Sequence, residues 1–178
     1  EVLDKTAPRL MCVLKPLKVI ITNYPDDKAE NFQPARHPKK PEMGTRKVPF
    51  SREIYIDHDD FREDPPPNYF RLAPGKEVRL RYAYVIRCDE VIYDERGGVS
   101  ELHCTYDQAT RSGAKPEGRK VKGIIHWVSA KDSVQVEVRL YDRLFAKPIP
   151  GSDDPEGNFL NDINRDSIEI LSKCQIES

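Results

Sequence analysis

The sequence has no apolar run near the ~18 residues that a membrane-spanning helix needs, and it does not begin with a signal-like segment. Long helical periodicity is missing, while 15 prolines are scattered along the chain. The 4 cysteines form no CxxC pair and no Cys/His cluster with zinc spacing. These absences argue against a membrane protein, a long-helix protein and a zinc site. They favour buried thiols in a cytosolic protein over disulfides.

Recognisable catalytic motifs are also absent. The 4 histidines are separate in the sequence and lack evident partners. No phosphate-cradling glycine loop, nucleophile elbow or HExxH motif occurs. The acidic pair Asp59–Asp60 is interpreted as the cap of a helical turn. We therefore predict neither a catalytic centre nor a metal site within this chain.

Charge is nearly balanced overall but uneven along the chain. The 178 residues carry a formal net charge of −1, and 33% of them are charged. Residues 35–47, 70–87 and 111–122 each contain five basic side chains against one acidic side chain. Solvated strand faces and loops are the simpler interpretation of these segments. The alternative is a local surface that binds anions.

Alternation with a period of two residues is the main structural signal. Residues 77–88 place apolar and aromatic side chains on one face and three arginines on the other, which predicts one continuous strand. Residues 134–140 predict a second clear strand. Other strands are predicted at 10–14, 17–22, 53–57, 91–93, 99–106, 121–128 and 167–171, with a hairpin turn at Gly97–Gly98. Short helices are predicted near 57–63 and 158–163.

This pattern predicts an all-β protein made of closed or partly closed barrels, with short helices in the connections. The length of 178 residues suits one large domain or two small ones. Polar connections are expected at 23–41, 64–68, 107–119 and 147–158.

Arginines alternate with aromatic residues between positions 68 and 84. Bases of a single-stranded loop stack on aromatic rings and bond to guanidinium donors, so this segment is a candidate for RNA binding. Arg79 and Arg81 share the face opposite the apolar one and are the better functional candidates. Tyr82 and Tyr84 fall on the apolar face and are expected in the core.

Several stretches, in order along nearly the whole chain, resemble the glutaminyl-tRNA synthetase family. The most specific are HPKKPEMG from residue 37 and GRKVKGIIHWVS from residue 118. GKEVRLRYAYVI, from residue 75, lies between these two, and VEVRLYDRLF, from residue 136, follows them. The family consists of class I aminoacyl-tRNA synthetases whose catalytic half carries HIGH and KMSKS motifs. Neither motif occurs in this chain.

The resemblance implies that residues 1–178 are the C-terminal anticodon-binding region, with two β-barrel subdomains of the type also found in ribosomal protein L25. The catalytic domain and the family's last strands would lie outside these residues. The implied partner is a glutamine-accepting tRNA, with no role for DNA or a membrane. The intact enzyme would be a cytoplasmic monomer that binds ATP and magnesium in its catalytic domain, so no cofactor is expected in this region.

The resemblance also implies residue roles. Arg9 matches an arginine that contacts the middle anticodon base, Arg71 one that contacts the third base, and Arg79 one that contacts the first base. Arg81 is implied at a nearby phosphate.

Four positions depart from a bacterial member of the family. Asn68 stands in place of Gln, and Phe70 replaces a Lys, which removes a charge and allows stacking. Asp4 and Lys39 replace asparagines that fit the anticodon stem and loop. Candidate contacts to the tRNA backbone are Lys39, Lys120 and Lys122.

Two alternatives remain open at the level of sequence. One is the equivalent region of an archaeal or eukaryotic type of glutamyl-tRNA synthetase. The other is a non-catalytic all-β module that binds RNA or protein.

Overall fold

The computed structural model describes residues 2–178, and β-strands dominate its secondary structure. The strands are β1 (Cys12–Val13), β2 (Pro16–Ile21), β3 (Glu30–Phe32), β4 (Val48–Phe50), β5 (Glu53–Asp57), β6 (Glu77–Leu80), β7 (Val85–Tyr93), β8 (Val99–Asp107), β9 (Ile124–Ile125), β10 (Val128–Ser129), β11 (Val134–Tyr141) and β12 (Ile168–Ile176). The helices are short: α1 (Val2–Thr6) and 3-10 helices at Pro41–Met43, His58–Asp60, Gln108–Gly113 and Phe159–Asp162. The predicted all-β fold class is confirmed. No helix within residues 2–178 has the length and apolarity to cross a membrane.

A seven-stranded mixed sheet forms the larger part of the molecule. Its strand order is β10-β5-β2-β8-β7-β6-β9, with β2/β8 and β6/β9 parallel and the other pairs antiparallel. Every second residue of β2 is buried, as expected for a strand with one face on the core. The sheet curls around that core, which fits a barrel-like domain.

Aromatic rings fill the centre of the core. Phe50 packs edge-to-face against Trp127, Tyr84 and Tyr24, with ring centroids 5.1, 5.4 and 5.0 Å away. Edge-to-face pairs at such distances stabilise a core beyond the area that they bury. Phe50 and Phe32 come from β4 and β3, a two-stranded sheet. Because the sequence pattern placed β3 inside a polar connection, this pair of core strands was not predicted.

The carboxylate of Glu30, at the edge of this aromatic cluster, accepts hydrogen bonds from tyrosine hydroxyls of the cluster. The hydroxyls of Tyr24 and Tyr84 donate to Glu30 Oε1 at 3.1 and 2.6 Å, and Arg111 Nε donates to Glu30 Oε2 at 3.1 Å. Burial alone would raise the pKa of Glu30, but hydrogen bonds from Tyr84, Arg111 and Tyr24 outweigh it and lower the pKa. Glu30, at the start of β3, is therefore held ionised by two core tyrosines and the loop that carries Arg111.

The predicted continuous strand over residues 77–88 is wrong, because the chain reverses in its middle. β6 ends at Leu80, and β7 begins at Val85 and pairs antiparallel with β6. Tyr82 lies in the turn with φ +68°, a left-handed conformation that residues other than glycine rarely adopt. Tyr84 is buried as expected, whereas Tyr82 is half-buried at the edge of the core.

Other predicted elements show smaller differences. The hairpin turn at Gly97–Gly98 is confirmed, since Asp94 and Gly98 are hydrogen-bonded across it. The predicted strand at 121–128 is instead two short strands, β9 and β10, separated by His126 and Trp127. Three cysteines are buried, Cys12 is half-buried, and all four are free thiols.

A three-stranded antiparallel sheet, in the order β1-β12-β11, contains the last strand of the chain. Several large apolar side chains of β11, β12 and their connection are exposed, including Tyr141, Ile149 and Ile170. This sheet is joined to the larger part through β1 and through a buried ion pair between Arg46 and Glu177. The division of the chain into two barrel subdomains remains a prediction.

Candidate nucleic-acid interface

A basic cleft of about 930 Å³ lies between the proline-rich loop, the start of β6 and the segment that leads into β9. Its lining includes six basic side chains and the carboxylate of Glu77. The basic residues are Arg71, Lys76, Arg87, Arg119, Lys120 and Lys122. They come from two of the three basic segments of the sequence, so the fold brings charge that is distant in the chain to one surface. A concave cationic surface of this kind favours phosphate groups.

The two walls of the cleft touch at Phe70 and Gly123. A Cβ atom on Gly123 would lie only 1.9 Å from the Phe70 carbonyl oxygen, so only glycine permits this approach. The Lys122 ammonium lies 4.6 Å from the centroid of the Phe70 ring. Phe70 as a whole remains 50% exposed. A base could therefore stack on Phe70 while Lys122 stays next to it.

Arg71 is held at the same cleft by a buried carboxylate. Its guanidinium forms an ion pair with Asp60, whose side chain is 9% exposed, while the Arg71 side chain is 52% exposed. Burial raises the pKa of Asp60, although the Arg71 charge opposes the rise. The helical turn is capped by Asp57, which accepts from the Asp59 backbone N–H. The predicted capping role of Asp59–Asp60 is therefore wrong, and Asp60 instead orients Arg71.

A smaller depression continues from the cleft past Tyr69 and Arg71 to His58 and Arg62. The Arg62 guanidinium lies 5.4 Å from the Tyr69 ring centroid. Asn68 is exposed in the loop between the lining residues Pro67 and Tyr69. This loop thus presents an amide, two aromatic rings and Arg71 in succession.

Arg79 does not line the cleft and instead fixes the loop behind it. Its guanidinium donates to the carbonyls of Thr110 and Ala114 at 3.0 and 2.6 Å. Burial lowers the pKa of Arg79. Two of the five N–H donors of a guanidinium are thus occupied by protein, and three remain. Arg119 bridges Glu77 and Asp107 nearby and holds the loop that leads to Lys120.

Arg81 follows β6 on the side that faces β9. Its backbone N–H donates to the Ile125 carbonyl at 3.0 Å, and its own carbonyl accepts from Trp127 Nε1 at 2.9 Å. Among residues 2–178, none offers a hydrogen-bond partner to the buried Nε of Arg81. The guanidiniums of Arg46 and Arg81 lie 5.5 and 5.8 Å from the Tyr82 ring centroid.

Arg9 belongs to a second group of predicted residues. Its guanidinium pairs with the Asp4 carboxylate, and the backbone N–H of Arg9 donates to the Arg36 carbonyl at 2.7 Å. The His37 ring binds the Asp4 carbonyl at 2.9 Å and accepts from the Lys39 N–H at 3.1 Å. Of the two departures from the resembled family, Asp4 thus bonds Arg9 directly, and Lys39 is connected to Asp4 through His37.

The predicted site residues therefore fall into three places. Phe70, Arg71, Lys120 and Lys122 line the cleft, with Asn68 beside them. Arg79 lies in β6 and Arg81 directly after it, and Arg9 and Lys39 lie around His37. Residues that were not predicted complete the cleft: Lys76, Arg87, Arg119 and Gly123. The first three lie in basic segments of the sequence, but no local pattern marks Gly123.

The curled all-β fold and the cleft with its basic lining and exposed aromatic ring define a class of protein suited to single-stranded nucleic acid. Two family models, each described as "tRNA synthetases class I (E and Q), anti-codon binding domain", match residues 7–107 and 124–178. The chain belongs to this family of anticodon-binding domains.

Curated relatives agree with this assignment. The chain is 58% identical over 175 residues to a glutamine–tRNA ligase of Pseudomonas putida, which covers 98% of the chain and 30% of the relative. It is 58% identical over 177 residues to the glutamine–tRNA ligase of Stutzerimonas stutzeri, covering 99% of the chain and 32% of the relative. The glutamine–tRNA ligase of Bradyrhizobium diazoefficiens is 53% identical over 178 residues, covering 100% of the chain and 31% of the relative. The chain thus spans about 30% of the length of these relatives.

Proposed function

We propose that this chain is the anticodon-binding region of a glutamine–tRNA ligase and that it binds the anticodon loop of a glutamine-accepting tRNA. The observation that carries the proposal is the identity of 53–58% with named glutamine–tRNA ligases over 98–100% of the chain. The intact protein would join glutamine to its tRNA as a cytoplasmic monomer. ATP and magnesium would bind in a catalytic domain, outside residues 1–178.

The geometry of the cleft supports binding of an unstacked loop. Phosphates would pair with Lys120 and Lys122, and one base would stack on Phe70. The exposed part of the Arg71 guanidinium keeps donors free for the third anticodon base. Arg is suited to this role because its planar fork makes two parallel hydrogen bonds.

The hydrogen bonds of Arg79 support a role for this residue at the first anticodon base. Its two hydrogen bonds to backbone carbonyls fix the direction of the guanidinium before RNA binds. Fixing a binding group in advance reduces the entropy lost on association. Arg9, oriented by Asp4, would contact the middle base, and Arg81 a phosphate near the first base.

Binding of labelled anticodon stem-loops to this chain tests the proposal. The probes are the glutamine-tRNA stem-loop and three variants, each with one anticodon base replaced. We expect each replacement to weaken binding by about 1–3 kcal/mol. Equal affinity for all four probes would contradict anticodon reading and favour a module that binds RNA without regard to the anticodon.

Replacement of Lys120 by Ala tests the electrostatic part of the proposal. Lys120 lines the cleft and is exposed. If it contacts a phosphate, affinity should fall evenly for all four probes, and the dependence of log K on log salt should become shallower by about 0.7. The exposed Lys173, in β12, is the matched control and should leave the salt dependence unchanged. An unaltered slope for Lys120→Ala would remove this residue from the interface.

A charging assay on the full-length protein decides which amino acid is attached. Attachment of glutamine supports the proposal. Preferential attachment of glutamate would place the protein with the glutamyl enzymes, which share the same family of anticodon-binding domains.

A further inference from the structure

Cys88 and Cys104 lie directly opposite each other on β7 and β8. The Cys88 N–H donates to the Lys76 carbonyl at 3.2 Å, and its carbonyl accepts from the Gly75 N–H at 2.8 Å. The Cys104 carbonyl accepts from the Thr22 N–H at 2.8 Å. These main-chain groups point away from the β7/β8 boundary, so the two cysteines form a non-hydrogen-bonded antiparallel pair.

That type of pair brings side chains close enough for a covalent bond. Directly opposite residues of a non-hydrogen-bonded pair have Cα atoms about 4.5 Å apart and the closer side chains. A disulfide requires Cα atoms roughly 4.4–6.8 Å apart. The two strands therefore need little backbone movement to accept an S–S bond between Cys88 and Cys104.

The electrostatics of the pair support the same chemistry. The neighbouring Cys104 thiol lowers the pKa of Cys88 in opposition to burial, while the Cys88 thiol and burial together raise the pKa of Cys104. One sulphur thus becomes a thiolate more readily and the other keeps its proton. A thiolate next to a protonated thiol is the arrangement from which disulfides form.

We propose that Cys88 and Cys104 are an oxidisable dithiol that a peroxide converts to a cross-strand disulfide. The Cys88 thiolate attacks one peroxide oxygen, which breaks the O–O bond and gives a sulfenic acid and, after protonation, water. The Cys104 sulphur then attacks the Cys88 sulphur and displaces a second water as it loses its proton. Two thiols and one hydrogen peroxide thus become one disulfide and two waters. The proposal does not depend on the proposed function.

The other two cysteines provide an internal comparison. Cys12 lies opposite Ile176, not opposite Cys174, whose partner on β11 is Val136. Cys12 and Cys174 are therefore diagonal neighbours, which lie about 7–8 Å apart. The Cys174 thiol also donates to the Leu14 carbonyl at 3.2 Å. This pair needs a larger backbone movement to form a disulfide.

Peptide mapping of the peroxide-treated chain tests the proposal. Remaining thiols are alkylated, the chain is cut with trypsin without reductant, and the peptides are weighed. We expect residues 88–96 and 97–111 to be recovered as one covalent species, with two hydrogens fewer than the separate peptides, and to separate on reduction. Both cysteines are fully buried, so linkage should accelerate in low urea as β7 and β8 separate locally.

Variants and thermal unfolding complete the test. A double variant, Cys12→Ser with Cys174→Ser, should form the same link, whereas Cys88→Ala should not. Oxidation should raise the Tm of the wild-type chain by up to about 10 °C, since the bond closes a loop of about 15 residues. Recovery of Cys88 and Cys104 as alkylated thiols or unlinked sulfinic acids, or a Cys12–Cys174 link in their place, would overturn the proposal. The peptide map of the wild-type chain tests the proposal even if the Cys88→Ala variant fails to fold.

Discussion

At the scale of single residues, Gly123 shapes the cleft because it has no side chain. Gly123→Ala would place a Cβ atom 1.9 Å from the Phe70 carbonyl oxygen, so the two walls must separate. We expect a loss of about 1–3 kcal/mol in the free energy of unfolding, as for overpacking elsewhere, and weaker stem-loop binding. Chemical denaturation and binding titrations measure the two effects.

Gly98→Ala is the matched control for this substitution. Its Cβ would meet only a side chain, with Asp94 Oδ2 at 3.2 Å, and the position has no left-handed φ. A Gly123→Ala protein as stable and as active in binding as the control would show that the contact between the walls does not shape the cleft.

Arg71 combines a proposed binding role with a measurable structural role. Arg71→Ala leaves the buried Asp60 carboxylate without its ion-pair partner, so stability at neutral pH should fall together with affinity. Asp60→Asn separates the effect on stability from the effect on affinity, because it keeps the Arg71 guanidinium but removes the buried Asp60 charge that pairs with it. We expect Arg71→Ala to lose about 1–3 kcal/mol of discrimination at the third anticodon base. Unchanged discrimination at that base in Arg71→Ala would refute its assignment.

The outcome for individual residues shows where the sequence was informative. Val78, Leu80 and Ile86 are buried, as the alternation of apolar and polar residues predicted. The pattern could not reveal the reversal at Tyr82, because a turn with φ +68° at a tyrosine carries none of the usual glycine or asparagine signals. The contact between Phe70 and Gly123 joins residues 53 positions apart and has no local signature. Periodicity singled out Arg79 and Arg81, while similarity to a family supplied the other predicted site residues.

At the scale of elements, Glu30 links β3 to the core and to the loop after β8. Its pKa is lower in the folded chain than in the unfolded chain, so the stability that it contributes is present above the unfolded value, about 4.3, and is lost as pH falls through the folded value. Glu30→Gln removes the charge and leaves the tyrosine hydroxyls with a weaker acceptor. We expect a loss of about 1–3 kcal/mol at neutral pH and a shallower decline in stability below pH 5.

The exposed pair of Asp26 and Arg52 provides the comparison for Glu30. The Asp26 side chain is 83% exposed, so Asp26→Asn should change the free energy of unfolding by less than about 1 kcal/mol. Denaturant titrations at several pH values distinguish the two variants. Equal effects of the two substitutions would mean that the hydrogen bonds of Glu30 do not stabilise the core.

At the scale of the whole molecule, one buried ion pair connects the two segments matched by the family models. Arg46 lies in residues 7–107 and Glu177 in residues 124–178, and their side chains are only 7% and 2% exposed. The Glu177 N–H also donates to the Met11 carbonyl at 3.1 Å, next to the pairing of β1 with β12. The second segment is therefore fixed near Tyr82, which Arg46 also contacts.

This connection predicts a strong asymmetry between single and paired substitutions. Glu177→Ala leaves the Arg46 guanidinium buried without its carboxylate, which should cost about 3–5 kcal/mol of stability. Replacing both residues with apolar ones, as in Arg46→Met with Glu177→Leu, should recover most of that loss, because buried ion pairs gain little over well-packed apolar groups. Denaturation of the single and double variants measures the coupling.

Since Arg139 and Glu137 form an exposed pair, Glu137→Ala should cost less than about 1 kcal/mol. If Glu177→Ala cost as little, the ion pair would not hold the two segments together, and their arrangement would depend on the strand pairings β1–β12, β6–β9 and β5–β10.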